Sequence, residues 1–187
     1  VIPKKIISAF LSAEDKDFFK HIGVDLQAIT RALMTNLKNY GKGKRLVGAS
    51  TITQQVAKNF LLSSEVTFER KIKEAILAIR IERAFSKEEI LELYLNEIYL
   101  GNNSYGIAAA ALNYFDKSLD DLTIDEAAFL ATLPKAPSKY NPKTNYERVL
   151  DRRNWVLYQM YKNGYLNDNE KNKFQSRKIV LTKSSGL

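Results

Sequence analysis

Two acids in this chain sit in opposite chemical settings. Glu14 ends an amphipathic stretch and is followed by Asp15 and the aromatic pair Phe18-Phe19. Aromatic neighbours desolvate a carboxylate, raise its pKa and make it a better general base near neutral pH. Glu74 closes the block Glu69-Arg70-Lys71-Ile72-Lys73-Glu74, and helical spacing puts Arg70 and Lys71 on its face. Between the acids runs Gly48-Ala49-Ser50-Thr51-Ile52-Thr53-Gln54-Gln55-Val56-Ala57-Lys58-Asn59, in which six of twelve side chains are neutral hydroxyls or amides. Such a set could remove a proton at one place and stabilise a departing anion at another.

Each feature also has a plainer reading. Glu14 and Asp15 suit a solvated helix end. Arg70 to Glu74 suits an exposed ion-pair ladder, worth about 0.3–0.5 kcal/mol per pair. The polar block suits a solvated helix N-terminus, except that Ile52, Val56 and Phe60 recur every four residues. That stripe predicts a helix with one apolar face and one face of donors turned toward a polar ligand. His21, the single histidine, reads first as a core or capping residue bonded to backbone. Tyr94, Asn96, Glu97 and Tyr99, interleaved with large apolar residues, read as satisfied polar positions on a largely buried helix.

The elements that must carry these groups are helical. Lys4 to Asp15 shows a stripe of Ile6, Ile7, Phe10 and Leu11, and Asp25 to Asn39 one of Leu26, Ile29, Leu33 and Leu37. Tyr40 to Arg45 is a basic, glycine-containing loop. A helix through Phe60 follows, then one from Thr67 to Phe85 with Ile72, Ile76 and Ile79 inward. Ser86-Lys87-Glu88-Glu89 is a capping box opening a helix that ends near Leu100, with Gly101 as its C-cap. Small residues from Gly106 to Tyr114 predict close packing, and Thr123 to Glu126 caps a helix stopped by Pro134 and Pro137. Glu147 to Lys162 and Asp168 to Gln175 complete the series, and Lys178 to Leu181 is a short strand or a linker. There is no repeat and no βα alternation, so the class is all-α.

A chain of 187 residues, 45% of them hydrophobic, can bury a real core and forms one domain that could be bilobed. Without cysteine, a disulfide scaffold and a thiolate metal site are excluded, whereas an exported location is not. The net charge of +8 implies an anionic partner (nucleic acid, an anionic membrane or a phosphorylated substrate), or else serves solubility alone. No run reaches the ~18 apolar residues of a membrane span. No signal peptide opens the chain, so an anchor or export signal is expected outside this piece of a longer protein.

Taken together, the blocks resemble the peptidoglycan glycosyltransferase domain, glycosyltransferase family 51, of class A penicillin-binding proteins and monofunctional transglycosylases. Glu14-Asp15-x-x-Phe18-x-x-His21-x-Gly23 resembles its first motif and Gly48-x-Ser50-Thr51-Ile52-Thr53-Gln54-Gln55-x-x-Lys58-Asn59 its second. Arg70-Lys71-x-x-Glu74 resembles the third, Ile90-Leu91-Glu92-Leu93-Tyr94-Leu95-Asn96 the fourth, and Gly106-Ile107-Ala108-Ala109-Ala110-Ala111-x-x-Tyr114-Phe115 the fifth. Any one could be chance; five in order are specific. Two departures stand out: Ala49 replaces a second glycine, and the Tyr40–Arg45 loop is longer than common.

The resemblance implies a lysozyme-like large lobe, a smaller membrane-facing jaw lobe and a cleft between them, with residues 176–187 a linker or the start of a following domain. It implies polymerisation of lipid II into β-1,4-linked glycan strands by inverting transfer from an undecaprenyl-pyrophosphate donor. Glu14 matches the catalytic base and Glu74 the second essential carboxylate. Asp15, Phe18, His21, Ser50, Thr51, Gln54, Gln55, Lys58, Asn59, Arg70 and Lys71 match residues of the substrate site, where moenomycin-type inhibitors also bind, and Lys135 and Ser138 resemble further cleft residues. Glu74 either orients the cations or holds a divalent ion such as Mg or Mn, and no organic cofactor is implied. Implied partners are lipid II, the growing glycan and the membrane surface, with a transpeptidase domain possible in the same chain. The implied location is the outer or periplasmic face of the bacterial inner membrane.

Independently of that resemblance, a glycosidase expels an alkoxide and needs a proton-donating second carboxyl. A pyrophosphate leaves as an anion and needs cations instead. The Arg70, Lys71 and Lys58 set favours a transferase over a lysozyme-like peptidoglycan hydrolase. A basic nucleic-acid module would gather its cations on one helix, whereas here they are spread along many segments, so no nucleic acid is expected. Basic Lys38, Lys42, Lys44 and Arg45 beside Leu26, Ile29, Leu33, Met34 and Leu37 suit either an interfacial helix or plain core packing.

Overall fold

The computed structural model describes residues 1–44, 47–61 and 67–182. Within them are nine α-helices: α1 Lys4–Glu14, α2 Leu26–Lys38, α3 Ile52–Phe60, α4 Phe68–Ala84, α5 Lys87–Glu97, α6 Ile107–Phe115, α7 Ile124–Leu130, α8 Tyr146–Lys162 and α9 Asp168–Gln175. Two short 3-10 turns, Leu133–Lys135 and Pro137–Tyr140, join α7 to α8. The chain divides into two compact units, one of residues 1–16 and 95 onward, the other Asp17–Tyr94. None of the described helices is long and apolar enough to cross a membrane.

The first unit is built on α7, in which every residue from Ala127 to Leu130 is buried, as is its C-cap Ala131. α1 packs on α7 and α8, and α8 in turn on α9. Phe129 meets Tyr114 and Phe115 edge-on at 5.3 and 5.5 Å between ring centres. Such aromatic pairs add about 0.5–1.5 kcal/mol beyond the area they bury. Gly106 has φ +81°, and a Cβ there would lie 2.2 Å from the Asn96 carbonyl oxygen. The close packing expected of the small-residue segment is therefore a backbone contact.

The helix expected to reach Leu100 stops at Glu97. Beyond it the chain folds back on itself: Leu100 N–H donates to Ser104 O at 2.8 Å and Gly106 N–H to Ile98 O at 2.7 Å. Gly101 sits in that turn instead of capping a helix, followed by Asn102 and Asn103 at φ 47° and 52°. Asparagine tolerates the left-handed region better than other side chains with a Cβ. The tail forms no strand among the described residues. It is held on the unit by Ile179 N–H to Tyr146 Oη at 3.1 Å and Thr182 N–H to Tyr114 O at 3.0 Å.

The second unit centres on α3 packed against α4. Ile52 and Val56 are buried as expected, but Phe60 is exposed. α4 also turns a different face inward from the one its isoleucines suggest. Its buried residues are Glu74, Ala78 and Ile81, while Ile72 and Ile76 are 45% and 48% exposed. Small Ala78 admits Gly23, whose φ is +104° and whose added Cβ would lie 2.8 Å from Ala78 O. Asp25 caps α2, accepting from Ala28 N–H at 2.8 Å. Of the α2 residues only Ala32 is buried, so core packing does not account for its apolar stripe. The basic loop is described as far as Lys44; Arg45 lies outside the described residues.

Candidate active site

The polar block divides between building the second unit and lining its surface. Thr51 and Gln54 form a capping box: Gln54 N–H donates to Thr51 Oγ1 at 3.0 Å, and Thr51 N–H to Gln54 Oε1 at 3.1 Å. Thr51 Oγ1 also donates to Gly23 O at 2.6 Å, which ties the first motif to the second. Thr53 Oγ1 donates to Glu82 Oε1 at 2.6 Å, and Lys87 Nζ reaches the same oxygen at 2.7 Å. Three buried polar side chains are thus satisfied internally, as burial requires. Gln55 accepts from Tyr94 Oη at 3.3 Å. Ser50, Lys58 and Asn59 are exposed, the latter two on the last turn of α3.

His21 takes the structural role its plainer reading gave it. Its Nδ1 accepts from Gly23 N–H at 3.1 Å and lies 3.9 Å from Glu82 Oε1. Phe18 packs edge-on against it at 5.9 Å, with Lys87 Nζ over the Phe18 ring at 4.4 Å. Glu82 is the hub of this cluster. Nothing in its spacing singled it out, because its partners are distant in sequence.

The cationic helix splits in two. Lys73 pairs with Glu69 at 2.7 Å on the solvent side, and that partner holds the Glu69 carboxyl below its ordinary range. Glu74 is buried, with Lys71 Nζ at 2.5 Å and Arg70 Nη2 at 4.0 Å. A buried carboxylate persists only when paired, and two cations here compensate one anion. Lys71 Nζ also donates to Ser50 Oγ at 2.8 Å, so the ammonium is fixed between α4 and the segment before α3. This arrangement carries a net positive charge with donors held in place, which suits an oxyanion. Among the described residues, no group of three or more His, Cys, Asp or Glu gathers that could hold a metal ion by itself.

In the first unit Glu14 is the last residue of α1, half-buried, and Asp15 is its buried C-cap. Arg152 on α8 belongs to Glu14's surroundings. Burial lowers its guanidinium from the ordinary value, while the Glu14 and Tyr140 charges act to raise it. It stacks on Trp155 at 3.9 Å. Its neighbour Arg153 is 0% exposed and structural, donating to Gln175 O at 3.3 Å and Arg177 O at 2.6 Å. Sequence gave no reason to separate the two. Lys135 and Ser138 are exposed on the 3-10 turns, and Ser138 lines a cavity of about 350 Å³ with Tyr99, Asn102, Tyr114 and Asn141. Tyr114 Oη donates to Leu100 O at 2.8 Å, and burial pushes that phenol up to about 12, with a smaller contribution from Tyr99.

The family model described as Transglycosylase matches residues 1–161. Penicillin-binding protein 1A of Rickettsia felis is 54% identical over 97% of this chain and 23% of its own length. The protein of that name from Aquifex aeolicus is 50% identical over 98% of this chain and 25% of its own. The crystal structure of penicillin-binding protein 1A from Haemophilus influenzae is similar at TM-score 0.50 and 39% identity, over 70% of this chain and 16% of that one. The chain spans about a quarter of the length of the curated relatives it matches. On the extent of that family match and the identity to these relatives, the chain belongs to the transglycosylase family.

Proposed function

We propose that this chain polymerises lipid II into β-1,4-linked glycan strands, with Glu14 as general base. The carboxylate takes the proton from the 4-hydroxyl of the acceptor GlcNAc, and that oxygen attacks C1 of the lipid-linked MurNAc. The C1–O bond to phosphate breaks as the new bond forms, the anomeric centre inverts, and undecaprenyl pyrophosphate departs. Lys71, Arg70 and Lys58 offset the charge it gathers. The observation that carries the reading is the buried Glu74 holding Arg70 and Lys71, the latter also bonded to Ser50. On this reading Glu74 orients the Arg70 and Lys71 cations.

A lipid-linked donor requires contact with a bilayer. Leu26 and Leu37 of α2 are 73% and 75% exposed, and Leu33 and Met34 are exposed beside them, with Lys38, Lys42 and Lys44 following. An apolar helix face flanked by cations lies stably in a membrane interface. The corresponding location is the outer or periplasmic face of the bacterial inner membrane. A transpeptidase domain in the same protein fits the likeness to penicillin-binding protein 1A.

Incubation with labelled lipid II, with and without moenomycin, tests the reading by gel separation of products. A ladder of glycans that moenomycin abolishes is expected. Sugar release from preformed cell wall without a lipid-linked donor would point to a hydrolase instead.

A further inference from the structure

A cavity of about 210 Å³ lies wholly within the first unit, and none of its wall residues takes part in the proposed reaction. Phe115, Phe129 and Ile179 give it an apolar side; Thr123, Arg153 and Lys178 give it a polar one. Its two acids are already engaged. Asp125 Oδ1 pairs with Arg177 at 3.1 Å, and Glu126 Oε1 with Lys117 at 2.8 Å. Arg153 and Lys178 have no carboxylate within ion-pair distance among the described residues. The wall therefore holds two cations beyond those its acids pair with.

Arg153 shows the mismatch atom by atom. Its Nε and Nη2 donate to Asn154 Oδ1 at 3.2 and 3.0 Å, and Nη2 also reaches Gln175 O and Arg177 O. Nη1 is buried and finds no hydrogen-bond partner among the described residues. A buried, charged donor without an acceptor is costly, and native folds keep few of them. Burial lowers the pKa of this guanidinium, with Asp125 and Tyr146 acting the other way, so an anion in the cavity would favour its charged form.

We propose that this cavity binds a small organic carboxylate, its oxygens at Arg153 Nη1, Lys178 Nζ and the Thr123 hydroxyl and its hydrocarbon part against Phe115, Phe129 and Ile179. The inference does not depend on lipid II chemistry. Charge-assisted bonds from a guanidinium and an ammonium are the strong kind, and three donors match the few acceptor positions of a carboxylate. A phosphate brings more oxygens than this wall can meet and would set some of them against phenyl rings. The volume is that of several waters at about 30 Å³ each, room for an acid of about five carbons and not for a nucleotide. The occupant would also fasten the tail. Arg153 holds the Gln175 and Arg177 carbonyls while Lys178 and Ile179 line the cavity, so α8 and the tail share the ligand.

The test is an NMR titration of the whole, nitrogen-labelled chain with isovalerate, its uncharged amide isovaleramide, inorganic phosphate and N-acetylvaline. Isovalerate is expected to shift the Arg153 Nε–H and the Ile179 amide with millimolar affinity, about tenfold tighter than isovaleramide, as bonds to a charged group require. It is also expected to bind more tightly than inorganic phosphate at the same ionic strength. N-acetylvaline separates the two sources of a carboxylate: tighter binding than isovalerate assigns a peptide C-terminus, weaker binding a free acid, and both support the site. Saturation should slow hydrogen exchange several-fold at Ile179 and Thr182, whose amides bond to Tyr146 Oη and Tyr114 O. Lys178→Ala removes an exposed side chain and should weaken isovalerate about threefold to fivefold, on the scale of an exposed ion pair, with the thermal midpoint nearly unchanged. Unmoved Arg153 and Ile179 signals at tens of millimolar isovalerate overturn the proposal and leave the cavity to water. Equal binding of isovaleramide or of phosphate overturns it as well, and each of these results is read on the wild-type chain.

Discussion

Lys71 Nζ lies 2.5 Å from Glu74 Oε1 and 2.8 Å from Ser50 Oγ, so one ammonium joins a buried acid to an exposed hydroxyl. The helix provides the first contact through its i,i+3 spacing, and the chain fold provides the second across 21 residues. The ammonium is half exposed while its acid is buried. Its charge is therefore directed outward from a fixed root, the preorganised form in which charge stabilisation is most effective.

Glu74→Gln keeps the shape and removes the anion that orients Arg70 and Lys71. The expected result is a fall in kcat/KM for lipid II of about 100-fold, on the scale of losing one oriented electrostatic group. Lys71→Ala is expected to weaken donor binding, seen as a higher KM. An unchanged KM in Lys71→Ala would remove the cradle from the account.

Gly106→Ala places a methyl group against the Asn96 carbonyl at a φ of +81°. The backbone must shift, and a loss of about 3 kcal/mol or more is expected. Urea unfolding measures it; a loss under 1 kcal/mol, on the order of an ordinary surface change, would mean that the 98–106 turn relaxes freely.

Tyr114 makes stability depend on alkaline pH. Its folded-state pKa, about 12, lies above the value of 10.0 for a free phenol. The neutral form is favoured in the fold, so this contribution is complete below pH ~10 and lost as pH rises through ~12. A two-unit shift corresponds to about 2–3 kcal/mol. The comparison is with Tyr114→Phe, which removes this phenol alone. The variant should lose less stability than the wild-type chain between pH 9 and 12, and parallel curves would contradict the assignment.

Leu26→Gln with Leu37→Gln changes two of the most exposed apolar residues of α2 without touching the core. Flotation with anionic vesicles should fall several-fold while the thermal midpoint stays within about 2 °C, as surface substitutions allow. Unaltered flotation would place the bilayer contact elsewhere.

Two local signals in the sequence are met in the structure. Ser86 and Glu89 close their capping box, with Ser86 N–H donating to Glu89 Oε2 at 2.8 Å and Glu89 N–H to Ser86 Oγ at 3.2 Å. Asp168–Gln175 has the bounds its pattern predicts. The inner face of α4 was misread for a physical reason. Apolar periodicity assigned the inner face of α4 to isoleucines, but the buried stripe runs through Glu74, whose burial depends on two cations no hydropathy pattern registers. Thr51, Thr53 and Gln54 find partners that their spacing does not show, in Gly23 and Glu82, 28 or 29 residues away, or within a capping box. Arg152 and Arg153 are adjacent and chemically identical, and only the packing of α8 sends one toward the Glu14 region and the other into the core.

Polymerisation of labelled lipid II by Glu14→Gln tests the account most directly. The amide preserves size and hydrogen bonding and removes basicity, so the rate should fall by at least 100-fold with donor affinity and thermal midpoint nearly unchanged. Glycan synthesis by this variant at a rate close to the wild-type chain would contradict it.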